Sequence, residues 1–195
     1  MGVEDTLKEW QYKISIHEDD FFLESLLNSY PEKCYIIDQY PYLIRDNNKY
    51  KQVDMFYDLM VKGGMDLTQF QNEENKIIQV MRKLWLYNVV EIETNLSTTK
   101  ISILKKAIGK DKYSLLESLK DKEFWVINSV DELDLMTRLG VREKVCSSFI
   151  FKDFKLIATT NALNMTIFIA EEKSKDILEK IIMTEGLYLR KYRKE

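Results

Sequence analysis

The chain holds one histidine, two cysteines, two prolines and six glycines in 195 residues. These are the residues that most often supply metal sites, disulfide frameworks and linkers. With His17 as the single imidazole and no Cys-x-x-Cys pair, a structural zinc site lacks donors. Cys34 and Cys146 stand far apart in sequence, each inside an expected strand, where a lone cysteine behaves as a small buried hydrophobe. So little Pro and Gly argues against long linkers, and no low-complexity segment interrupts the chain. No uncharged apolar run approaches the roughly 20 residues a membrane span requires. Glu4, Asp5 and Glu9 occupy the stretch where a signal peptide would carry its basic and apolar regions. The expectation is a soluble, cytoplasmic chain with no membrane partner and no cofactor.

Signatures of catalysis are also scarce. No serine or cysteine stands in a Gly-x-Ser-x-Gly elbow, and Gly63-Gly64 follows an expected helix instead of leading from a strand into one. A net charge of −3 gives no global attraction to polyanions. The charge is nevertheless uneven. The first 24 residues hold seven acids against Lys8 and Lys13, whereas seven lysines face three acids between Lys100 and Lys122. Arg190, Lys191, Arg193 and Lys194 cluster in the last six residues. Such asymmetry keeps a nucleic-acid surface open as an alternative.

What the chain does contain is 45% hydrophobic and 31% charged residues, enough to bury a substantial core in one moderate domain or two small ones. The stretch from Val145 to Arg190 is the most consistent. Its apolar runs 145–151, 154–160 and 165–170 are separated by gaps too short for crossovers, which predicts an antiparallel meander. A helix over Glu171–Glu185 follows, with Gly186 at its C-terminal cap and a returning strand at Leu187–Leu189. Upstream, Phe124–Ile127 reads as a buried strand, and Ser129-Val-Asp-Glu132 as a capping box opening a helix that stops at Gly140. Residues 123–195 thus predict β-α-β-β-β-α-β, an α+β fold whose mixed or antiparallel sheet has helices packed on it. A mainly helical N-terminal part to residue 95 and a lysine-rich helical connector over 96–122 precede it; all three can form one continuous domain.

In the N-terminal part the pattern predicts helices over 4–14 and 18–29, then strands Cys34–Asp38 and Tyr42–Arg45 split by Pro41. A helix over Gln52–Lys62 ends at Gly63-Gly64. Asp66 can cap a long helix reaching Trp85, whose apolar spacing fits with only Glu74 out of place. Val89–Thr94 follows as a strand, and Ser97–Ile108 and Lys112–Leu119 as lysine-bearing helices. From its Gly turn, Asp66-Leu-Thr68, the helix ending in Leu84-Trp85 and the strand after it, the segment 52–94 resembles a winged-helix module in outline. That resemblance implies a nucleic-acid-binding regulator using residues 52–122; a related three-helix layout serves in leader-peptide recognition.

Two constellations could carry function. Glu91 and Glu93 lie two apart on one strand face, and with Asp38 and Lys100 they could hold a divalent cation for phosphodiester cleavage. Helix and strand solubility accounts for the same acids. The second is aromatic: Tyr35, Tyr40, Tyr42, Tyr50 and Tyr57 crowd one third of the chain, and tyrosine gives large contact area at low entropic cost. The leading expectation is therefore a non-enzymatic protein-binding module, of inhibitor, immunity or adaptor type, with an acidic, tyrosine-rich N-terminal face and another protein as partner. The winged-helix reading stands second and the metal-dependent phosphodiesterase third.

Overall fold

The computed structural model describes residues 2–13, 22–53 and 55–193. His17, Glu18, Asp19 and Asp20 lie outside the described residues. In chain order the elements are α1 (Val3–Glu9), α2 (Phe22–Ser29), β1 (Cys34–Asp38), α3 (Asn47–Val53), α4 (Tyr57–Lys62), α5 (Thr68–Trp85), β2 (Val90–Thr94), α6 (Ile101–Lys106), α7 (Tyr113–Leu119), β3 (Phe124–Val126), α8 (Val130–Val141), β4 (Ser147–Phe151), β5 (Leu156–Asn161), β6 (Asn164–Ile169), α9 (Lys173–Thr184) and β7 (Tyr188–Lys191).

The strands form one antiparallel sheet in the order β3-β2-β4-β5-β6-β1-β7. Its centre is the expected meander β4-β5-β6. β1 adds beside β6 and β2 beside β4, so strands from the first half of the chain complete a sheet begun in the second half.

Alternation assigns each strand two faces. On the first, a row runs across six strands through Tyr35, Ile167, Ala158, Phe149, Ile92 and Trp125, and α5, α8 and α9 pack over it. On the second, Cys34, Phe168, Ile157 and Ile150 form an apolar row beneath α1 and α2. Burial on both sides explains why the β4 and β6 sequences read as nearly continuous apolar runs. The adjoining row on the second face is polar: Thr166, Thr159, Ser148 and Glu93. Ser148 and Thr159 hydroxyls lie 3.1 Å apart.

α5 and α8 are joined by charge as well as by apolar packing. Glu74, the residue out of place in the α5 pattern, is 0% exposed. Arg142 grips it through Nε to Oε1 (2.6 Å) and Nη2 to Oε2 (2.7 Å), and Arg138 donates to Oε2. Arg142 also donates to the Ala107 carbonyl at 2.5 Å and stacks 4.7 Å from the Tyr57 ring. A buried carboxylate is tolerable only with such multiple donors.

Several local expectations are corrected. Tyr42–Arg45 forms no strand. Asp38 Oδ1 accepts the Tyr40 N–H at 3.1 Å, turning the chain off the sheet, and both edges of β1 are already occupied by β6 and β7. The single helix over 52–62 is two short ones, α3 and α4, because Met55 turns into the core between them. The helix over 97–108 shortens to α6, since Thr98 and Thr99 hydroxyls bond the Asn95 carbonyl and compete with the helical ladder. Gly140 does not stop α8, which continues to Val141. Its role is close approach: a Cβ there would overlap Thr160 Oγ1 and stand 2.7 Å from the Thr160 Cβ. Gly186, at φ +70°, does supply the left-handed residue that ends α9.

Candidate functional site

The carboxylates singled out in sequence are not brought together. β1 and β2 are separated by β4, β5 and β6, which places Asp38 about 19 Å from the glutamates at ~4.8 Å per strand. Asp38 pairs with Arg190. Glu91 faces Lys152 at 3.1 Å, and Glu93 accepts the Val3 N–H at 2.7 Å, where an anion suits the first turn of α1. Among the described residues, no group of three His, Cys, Asp or Glu side chains is placed to hold a metal ion. Lys100 is exposed at the start of α6.

The lysines of the 96–122 segment are partly committed inside the fold. Lys105 pairs with Glu117, Lys112 with Asp131, and Lys120 donates to the Leu96 and Ser97 carbonyls. Upstream, Asp66 Oδ1 accepts the Thr68 N–H at 2.9 Å and starts α5. α5 then runs unbroken for 18 residues with its apolar face against α8 and α9, so the winged-helix segment contains one helix where a helix-turn-helix has two.

The tyrosines divide by burial. Tyr35, 6% exposed, belongs to the first-face core, and Tyr57, 8% exposed, lies between Arg142 and Phe70 with its ring 5.4 Å from the phenyl. Tyr40 is half-buried. Tyr50 is 37% exposed and Tyr42 is 81% exposed. The two outer tyrosines have company. Leu43, Phe56, Leu59, Val61 and Met65 are all exposed in the same stretch, which comprises the loop after β1, α3, α4 and the turn behind it. A smaller exposed group, Leu86, Tyr87 and Val89, sits at the opposite end of the sheet, where the Tyr87 ring stacks on Phe154 at 6.4 Å.

The end of the sheet nearest α3 and α4 is hollowed. A central cavity of about 440 Å³ lies where α8 meets β4 and β5, lined by Glu24, Gly140, Glu143, Cys146 and Thr160 among others. A flanking cavity of about 400 Å³ shares Leu23, Asn95, Cys146 and Thr159 with it and extends over Glu93, Ser97 and Glu123. On the other side a cavity of about 200 Å³ shares Glu143 and Ala162 and reaches Asp38, Tyr40, Tyr50 and Phe56. The three form one trough from the β2 end to the exposed apolar stretch.

Its electrostatics are one-sided. The lining carries Asp38, Glu24, Glu93, Glu123 and Glu143 against the single ammonium of Lys144. Lys144 is already bound to Asp58 at 2.5 Å and lies 5.5 Å from the Tyr57 ring. Ser97 Oγ donates to Glu123 at 2.8 Å. Glu24 and Glu143 have no hydrogen-bond or ion-pair partner among the described residues. Both Glu143 and Ala162 hold left-handed backbone at φ 57° and 54°, a conformation that disfavours any side chain.

Nothing in the trough equips it for covalent chemistry. Burial raises the Cys146 thiol above its ordinary range, and burial with the nearby Glu32 pushes Cys34 up to about 12. Neither is a thiolate at neutral pH. Sequence reasoning missed the trough, because its walls come from α2, α8 and four loops that only the sheet order brings together. The one available signal was Gly140, whose close-approach role read as a helix stop.

The chain matches no protein-family model, no curated protein and no solved structure. No helix among the described residues is long and apolar enough to cross a membrane.

Proposed function

We propose that the chain is a non-enzymatic, cytoplasmic protein-binding module of inhibitor, immunity or adaptor type, docking its partner through the apolar surface between Tyr42 and Met65. The observation that carries this reading is the concentration of exposed large apolar side chains in those 24 residues: Tyr42, Leu43, Tyr50, Phe56, Leu59, Val61 and Met65. Scattered single hydrophobes are ordinary on a protein surface, whereas a contiguous group of aromatic, Leu and Met side chains is the composition of an interface centre. The tyrosine face is therefore narrower than the sequence suggests. Tyr42 and Tyr50 remain on it, Tyr40 sits at its border, and Tyr35 and Tyr57 support it from the core.

Capture of partners by the tagged chain tests the reading. Leu59→Asp places a charge at the centre of the surface and should remove a stoichiometric partner, while Tyr42→Ala should weaken it about tenfold, a typical hot-spot loss. Both positions are exposed, so thermal stability should stay within about 0.5 kcal/mol of the parent. A partner retained at full strength by both variants would show that the surface is not the docking site.

A further inference from the structure

The trough beside this surface has its own chemistry. Five carboxylates and one already-paired ammonium line it, and two of the carboxylates, Glu24 and Glu143, face the central cavity without a partner among the described residues. A second, independent observation lies in the same cavity. Thr160 is 4% exposed, and its Oγ1 has no hydrogen-bond partner in the structure. A buried hydroxyl left unmatched is a cost that a hydrogen-bonding ligand would relieve. Dimensions narrow the ligand further. The cavities together pass the ends of β2, β4, β5, β6 and β1, four strand spacings or about 19 Å, which an extended polypeptide covers in about six residues. Cavities of about 440 and 400 Å³ are deep enough for long side chains. At its far end the trough opens onto Tyr50 and Phe56, which also belong to the exposed apolar surface.

We propose that the trough holds an extended Lys- or Arg-bearing segment of the partner, its cationic side chains directed at Glu24 and Glu143 and a backbone or side-chain donor at Thr160 Oγ1. This rests on the docking reading and adds the partner's chemistry to it. The apolar surface supplies contact area, and the acidic trough selects charge and speeds encounter.

A random hexapeptide library selected against the intact chain tests the assignment. Enriched peptides should carry Lys or Arg in excess and bind more weakly as salt rises. The Glu24→Gln/Glu143→Gln double variant should weaken a selected peptide about fivefold, the scale expected for two exposed ion pairs. Thr160→Val, which keeps the side-chain shape, should weaken it by a similar factor through one lost hydrogen bond. Circular dichroism and melting of each variant confirm that the fold is intact. Enrichment without a basic bias, or affinities unchanged in both variants, overturns the assignment. Partner capture that still depends on Leu59 would in that case leave the docking surface standing, so the two readings fail separately.

Discussion

At one end of the sheet the connections are short and tied to one another, while at the other they stand apart around cavities. The tied end holds the β4–β5 turn, the start of β2 and the exit of β6. Asn88 Oδ1 accepts the Phe154 N–H at 2.9 Å, Asp153 Oδ2 accepts the Val89 N–H at 3.0 Å, and Tyr12 Oη donates to the Ala170 carbonyl at 2.9 Å. Glu171 is clasped by Lys155 and Lys173, both at 2.5 Å, and their charges hold its carboxyl down at about 2. The hollow end has the β5–β6 hairpin and the α8–β4 loop, each with a left-handed residue that is not glycine, and carboxylates without partners. The difference teaches that one sheet can be closed on one side by side-chain-to-backbone straps and still leave the other side for recognition. Loops positioned by a rigid scaffold are where binding residues concentrate.

The comparison can be broken or sharpened by substitution. The largest effect is expected at the scaffold behind both ends. Glu74→Ala leaves Arg142 buried without its carboxylate and should cost about 3–5 kcal/mol in a denaturant melt. At the tied end, Asn88→Ala removes the acceptor for Phe154 N–H and the donor to the Leu84 carbonyl, so a loss of about 1–2 kcal/mol is expected. No loss there would mean that the straps do not close that end. At the hollow end the sign should reverse. Ala162→Gly relieves a positive φ and should stabilise by about 0.5 kcal/mol, the strain relief being partly offset by the freedom glycine regains when unfolded.

Titration gives a smaller contrast. The Glu171 carboxyl lies at about 2 in the folded chain against an ordinary 4.5, so its contribution to stability is complete above the ordinary value and is lost as pH falls through about 2. Glu171→Gln should therefore flatten that part of the acid limb of the stability curve. An acid limb of unchanged slope in Glu171→Gln would show that the clasp contributes nothing.

Sequence patterns disclosed the α+β class and the elements with strong local signals. β1 coincides with the expected Cys34–Asp38, and the meander, the Ser129 cap and the Gly186 turn all follow from neighbouring residues. Elements whose form depends on distant partners were not legible. The chain after Asp38 had alternating apolar residues but no free strand edge to join, and the break at Met55 depends on a core that residues 77–182 assemble. The candidate site was legible only at its margin. Exposure separates Tyr42 from Tyr57, yet both sit in similar sequence surroundings. Glu74 did register as an exception to the α5 pattern, and its partners Arg138 and Arg142 lie more than 60 residues away.

Hydrogen exchange of the chain with and without its captured partner tests the contrast between the two ends most directly. Binding should slow exchange across residues 39–65, 143–146 and 162–164, leaving 86–91 and 152–156 unchanged. Protection appearing at 86–91 and 152–156, with none at 39–65, would contradict the account and place recognition at the tied end.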